Sequence, residues 1–182
     1  DLYCKPSEWL PALREMRSLE TLQVSITIAE KLDAADLPNH CALHTLIVPS
    51  MRFKPGFFLE LSRRQPSLTC VDANSNFLQE DDARGLCALP RLRTLNVDWC
   101  GLSATSLGQI GAVHTLESLA VGGPDFLSEH LGALADARPV SLTRLAMRSC
   151  NVGADGFRAL AKSIPLTALS LSSAQLVEDA VE

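Results

Sequence analysis

The sequence lacks the short patterns on which most catalytic and nucleotide-handling sites depend. It has no glycine-rich phosphate loop, no HExxH and no GxSxG, which removes P-loop, zinc-protease and α/β-hydrolase chemistry from consideration. Its six cysteines, Cys4, Cys41, Cys70, Cys87, Cys100 and Cys150, form no CxxC pair and no tight cluster. Neither a zinc knuckle nor a dithiol redox centre is therefore expected. Five asparagines are present, none in an Asn-x-Ser/Thr acceptor; with the scattered thiols, this points to a reducing, cytoplasmic setting. No uncharged apolar run approaches the roughly eighteen residues that a spanning helix needs, so membrane insertion is not expected. Basic residues are few: 16 Lys and Arg against 21 Asp and Glu leave a net charge of -5. Phosphate binding is driven by clustered Lys and Arg, so nucleic acid is not the expected main partner.

What the 182 residues do have is apolar content, 47% against 20% charged, the balance of a folded chain rather than a disordered one. That content is periodic. Seven segments fit one template with apolar residues at its first, fourth, sixth and eleventh places, beginning at Leu19, Leu43, Leu68, Leu92, Leu116, Leu142 and Leu166. Successive starts are 24, 25, 24, 24, 26 and 24 residues apart, and all twenty-eight template places are apolar. A second pair of apolar residues, fifteen and eighteen places after each first leucine, recurs as Ala34/Leu37, Phe58/Leu61, Ala83/Leu86, Leu107/Ile110, Leu131/Leu134 and Phe157/Leu160. A step of three puts both on one helical face. Pro38, Pro66, Pro90, Pro139 and Pro165 then stand before the next strand, where a helix has to stop. Each coil is thus one short strand and one helix, neither able to bury its apolar face alone, and stacking joins those faces into one core.

The pattern LxxLxLxx(N/C)xL, as in "LTCVDANSNFL", "LRTLNVDWCGL" and "LTRLAMRSCNV", resembles the leucine-rich repeat family over essentially the whole chain. The alternation of strand and helix is similar to its ribonuclease-inhibitor-like and cysteine-containing branches, and "VGADGFRALA" resembles the GALA-type repeats of some bacterial effectors. The resemblance implies an α/β solenoid, a curved right-handed horseshoe segment with parallel strands on the concave face and helices on the convex face. It also implies that the ninth place, occupied by Thr27, Met51, Asn76, Cys100, Pro124, Cys150 and Ala174, turns inward and bonds backbone groups where the strand bends away. Met51, Pro124 and Ala174 depart from the family's Asn, Cys or Thr, so irregular coils are expected there. Cys100, next to Trp99, is then a packing element rather than a nucleophile. Its nearest base in sequence, His114, falls on the far side of the following helix.

Residues 1–182 are read as a single solenoid of about seven coils with a partial N-terminal one, whose helical pair is Leu10 and Leu13. Both ends fall inside a coil, so an excerpt of a longer protein is expected. The strand residues between the buried ones face the concave side. Most are small and uncharged, and the ones that stand out are Asp72, Asn96, Asp98, Trp99, Arg144 and Arg148. Trp99 is the aromatic anchor type, and the two arginines offer a cationic patch. His40, Cys41 and His44 lack a fourth ligand, so no metal site is expected. The reading is a non-catalytic protein-binding module that uses those six residues, with no cofactor and no small-molecule substrate. Two alternatives are a scaffold subunit of a large assembly and, from the resemblance, the substrate-recognition part of a ubiquitin-ligase adaptor or bacterial effector.

Overall fold

Alternation along a strand decides which side chains of each coil go inside, because successive residues point to opposite faces. The computed structural model describes residues 11–13, 15–25, 31–38, 42–173 and 175–177. Within them, the fourth and sixth template residues are buried in the first six coils, from Leu22 and Val24 through Leu145 and Met147. In the seventh coil the equivalent Leu169 and Leu171 are 46% and 43% exposed.

The strands are β1 Thr21–Gln23, β2 Thr45–Ile47, β3 Cys70–Asp72, β4 Thr94–Asn96, β5 Ser118–Gly122, β6 Arg144–Arg148 and β8 Ala168–Ser172. They form one parallel sheet in chain order. Third place pairs with third place throughout, for example Thr21 with Thr45, Cys70 with Thr94 and Arg144 with Ala168. The register therefore repeats without slip. A second small ladder pairs β7 Asn151–Gly153 with β9 Gln175–Val177 just beyond the strand ends. Isolated bridges Leu32–Phe53 and Leu127–Asn151 extend the same contact elsewhere along the stack.

Behind the sheet lie α1 Phe57–Arg64, α2 Glu80–Cys87, α3 Ala104–Gly111, α4 Ser128–Asp136 and α5 Ala154–Ser163. Five of the six apolar pairs from the sequence are buried in place, Phe58/Leu61, Ala83/Leu86, Leu107/Ile110 and Leu131/Leu134 among them, and in the sixth Leu160 is buried and Phe157 partly so. At the N-terminal end Leu13 is buried as expected; its predicted partner Leu10 lies outside the described residues. Strands stack about 4.8 Å apart whereas packed helices need about 8–10 Å, so the stack bends with the strands on its inner side. Among the described residues no helix is long and apolar enough to cross a membrane.

One coil departs from the helical expectation. Residues Ala34–Asp36 form a 3₁₀ turn instead of an α-helix, capped by Asp33, whose side chain accepts from the Ala35 N–H. The cause is the place of Pro38. It follows the second anchor, Leu37, directly, and a residue before proline is driven out of the α region. In the later coils proline stands about a turn further on, which leaves room for eight residues or more of helix. The side chain of Gln65 closes the gap by donating to the Pro38 carbonyl.

Close approach of helices is set by glycine at one contact. A Cβ at Gly85 on α2 would lie 2.3 Å from the Leu59 nitrogen and 2.4 Å from the Phe58 carbonyl carbon of α1. Gly132 on α4 has nothing within 4 Å of the same position. Alanine ordinarily improves an exposed helix by about 1 kcal/mol over glycine. We expect Gly132→Ala to show that gain in chemical denaturation. Gly85→Ala, forced against backbone, should instead lose about 3 kcal/mol; equal effects at the two sites would disprove this account of the α1–α2 contact.

Candidate functional site

The site begins where each strand ends. The ladder of backbone hydrogen bonds runs past the sheet to the eighth template place, whose N–H donates to the next coil: Ser50 to Asn74 O, Ser75 to Asp98 O, Trp99 to Gly122 O, Gly123 to Arg148 O and Ser149 to Ser172 O, at 2.8–3.1 Å. The eighth residue is also in the left-handed region in every described coil, with φ between 50° and 57° at Ser50, Ser75, Trp99, Ser149 and Ser173 and 123° at Gly123. This kink turns the chain away from the sheet and points the ninth side chain back between coils. Asn76 uses that position fully. Its Oδ1 accepts the Met51 N–H at 2.6 Å, and its Nδ2 donates to Val48 O and Ala73 O at 3.0 and 2.7 Å.

Cys100 takes the same place one coil later, and its thiol donates to Ala73 O at 3.1 Å. Burial pushes its pKa up to about 12, so there is no thiolate at neutral pH to act as a nucleophile. His114 is exposed beyond the far end of α3, about 12 Å of helix away. At Met51 and Pro124 the side-chain bonding is interrupted as the sequence suggested. The backbone is not: Ser50 and Gly123 keep both kink and ladder, so the expected irregular coils are absent there. Thr27 and Ala174 lie outside the described residues, as do His40 and Cys41; no metal-binding cluster occurs among the described ones.

The six residues singled out by sequence do not form one uniform surface. Asp72, Asn96 and Asp98 are joined by their own bonds. Asp72 Oδ1 accepts the Asn74 N–H at 3.0 Å and Oδ2 accepts Asn96 Nδ2 at 3.0 Å, while Asn96 Oδ1 accepts the Asp98 N–H at 3.1 Å. The bonds to Asn74 and Asp98 are turn-forming contacts of short polar side chains with backbone two residues on, and the Asp72–Asn96 bond ties adjacent coils. Asp98 is 3% exposed and has no hydrogen-bond partner on Oδ1 among the described residues. Burial raises its pKa, and Arg148 opposes that shift.

Arg148 reaches Asp98 Oδ2 at 3.7 Å from two coils away, passing over the intervening coil at Gly122. A Cβ on Gly122 would fall 2.7 Å from Asp98 Oδ1 and 2.0 Å from Arg148 O. Arg148 is thus the counter-ion of a buried carboxylate, with its own side chain 60% exposed. Arg144, at the opposite end of β6, is exposed and has no ion-pair partner among the described residues.

Trp99 is displaced from the strand face to the kink that follows it, at the rim. It is 50% exposed, and it is the one bulky side chain among eighth-place residues that are otherwise serine or glycine in the described coils. A left-handed conformation costs an L-residue about 1–2 kcal/mol, and a bulky one is a true outlier. Beside it Phe77 is 81% exposed, its ring 3.6 Å from where Gly101 would carry a Cβ. Trp99, Phe77, Gly101, Gly123 and Asp125 line a cavity of about 640 Å³. Its inner wall includes His130, which stacks on Phe126 at 5.1 Å. The His130 ring accepts the Leu127 N–H on Nδ1 and faces Leu102 O with Nε2, both at 3.1 Å.

Sequence reasoning missed Phe77 and the rim. The serines at 50, 75, 149 and 173 in phase with glycine at 123 carried the available clue, because small residues recurring at one place mark a constrained backbone.

A leucine-rich repeat family model matches residues 139–161, the stretch that holds β6, β7 and the greater part of α5. No curated protein matches the sequence. Among solved structures, the crystal structure of a TLR13–ssRNA13 complex superposes with a TM-score of 0.58 at 19% identity, covering 89% of this chain and 25% of that one. The present chain therefore spans about a quarter of that relative's length.

The raised thiol pKa at Cys100 fixes the direction of a pH effect. A proton held more tightly in the folded state favours folding below the unfolded thiol value near 9, and the advantage is lost as pH rises toward about 12. Stability measured by urea titration should fall across that window, and Cys100→Ala should flatten part of the fall. Rapid iodoacetamide labelling of Cys100 in folded protein at neutral pH would contradict the assignment.

Proposed function

We propose that this chain, which shares the fold of leucine-rich-repeat solenoids, binds a protein partner across the strand face and its rim. Trp99 and Arg144 would be the principal contacts, with Asp72, Asn96, Asp98 and Arg148 holding the surface between them in shape. The observation that carries this reading is the backbone at Trp99. Strain persists where the surroundings over-determine it, and such positions concentrate at functional sites. Serine or glycine would meet the needs of the turn, as they do at 50, 75, 123, 149 and 173. A half-exposed tryptophan adds nothing to the kink, but it has the size, rigidity and amphipathic character of an interface anchor.

The fold is typically non-catalytic, and the buried, protonated Cys100 is in keeping with a binding role. The ssRNA in the TLR13 complex is a ligand of that protein. Here the strand face pairs its acids with amides and an arginine, and the net charge is -5, a balance that favours a protein over a polyanion.

Variants should separate binding from folding. Trp99→Ser adopts the residue of four equivalent turns, so circular dichroism should be unchanged and melting close to the parent. Affinity for a purified partner should drop at least about tenfold, the scale of a lost anchor. Arg144→Glu should weaken the same complex and alter its salt dependence, while Arg84→Glu on the helical side should leave it intact. Arg148→Glu is not a suitable probe, because it would set a second carboxylate against buried Asp98. Partner affinity that survives both Trp99→Ser and Arg144→Glu would rule this face out.

A further inference from the structure

We infer that the rim cavity receives a basic side chain, arginine by preference, projecting from the partner protein. This rests on the partner-binding reading above and specifies its chemistry. Three features of the cavity converge on a cation. Two of its walls are exposed aromatic residues, Trp99 and Phe77, and the face of an aromatic ring attracts a positive charge within reach of its centre. The only charged side chain lining it is Asp125, an exposed carboxylate with no ion-pair partner among the described residues.

The remaining lining is apolar or already committed. His130 has both ring nitrogens occupied by backbone groups, Nδ1 by the Leu127 N–H and Nε2 by Leu102 O. No Lys or Arg lines the cavity to compete for the space. Leu102 and Pro124, both reached by solvent, offer an apolar surface along which the methylene stem of a long basic side chain can lie, with its head toward the carboxylate.

The size agrees. About 640 Å³ is within the usual range for ligand cavities and exceeds one side chain, which leaves room for flanking backbone of a partner segment. Arginine is preferred to lysine because a planar guanidinium can stack on the indole and still bond a carboxylate edge-on, whereas an ammonium cannot do both as well. Gly101 and Gly123 keep the walls apart. A side chain at Gly101 would meet Phe77, and both glycines have positive φ.

The test uses blocked pentapeptides of four glycines around one central residue, titrated into the folded chain while the Trp99 indole N–H resonance is followed by NMR. The arginine peptide should move that resonance in a saturable, salt-sensitive way. The peptide with citrulline, of equal shape but no charge, should bind at least about fivefold more weakly, and lysine should fall between. Asp125→Asn should reduce the arginine peptide's affinity about threefold without changing melting, and in Trp99→Ser, followed instead through the Gly101 and Gly123 backbone amides that line the same cavity, binding should be abolished. Equal affinity for arginine and citrulline, no effect of Asp125→Asn, or no shift with peptide up to about 50 mM would each overturn the inference. Those outcomes leave partner binding by Trp99 standing if Trp99→Ser still loses the full-length partner; a Trp99→Ser protein that retains the partner fails the broader reading instead.

Discussion

The kink after each strand is what the rest of this molecule depends on. Its left-handed residue lets the backbone ladder run past the sheet to the eighth place while the chain leaves the sheet's plane. Without it the ninth side chain could not enter between coils, and the carbonyls freed by the turn would be buried without donors, a cost of several kcal/mol per coil. Asn76 and Cys100 meet that need by different chemistry at equivalent places. The amide has two donor hydrogens and an acceptor, and the thiol has a single weak donor. The same geometry buries Cys100 deeply enough to suppress its reactivity, so one constraint governs both the packing of the stack and the inertness of the thiol that stands beside Trp99.

The period and the core were legible because they rest on a single strong rule: buried places in a repeated unit must be apolar. Leu22, Leu46 and Leu95, and the pair Leu131 and Leu134, lie where counting put them. The 3₁₀ turn at Ala34–Asp36 was equally written in the chain, since Pro38 stands directly after an anchor, but grouping it with the later prolines hid its different spacing. The kink was harder to see. Serine is common on surfaces, and only its phase with Gly123 and Trp99 gives it meaning.

The candidate site was legible in its membership and not in its wiring. Asp98 and Arg148 are fifty residues apart in sequence, and their approach depends on an absent side chain at Gly122, which a strand pattern reads merely as a small residue. Asp72 and Asn96 looked like surface groups available to a partner and are occupied with each other. Phe77 belongs to a loop place that carries no periodic requirement, so counting could not reveal that it would stand over Gly101 and help to wall a cavity with Trp99. What emerges is a rigid polar strip with two unsatisfied ends, Arg144 at one and the aromatic rim at the other.

Repeat proteins are usually regarded as modular, since contacts confined to adjacent units allow a unit to be removed, duplicated or exchanged with modest consequence. The bridge from Asp98 to Arg148 breaks that independence locally. The coil that carries Gly122 acts as a spacer of fixed thickness beneath a charge pair it does not join. Duplicating it would separate the two charges by a further strand spacing, about 4.8 Å, and strand an anion in the interior. Exchanging it for a neighbouring unit with a full side chain at that place would collide with both. Three coils there form one indivisible block inside an otherwise divisible stack.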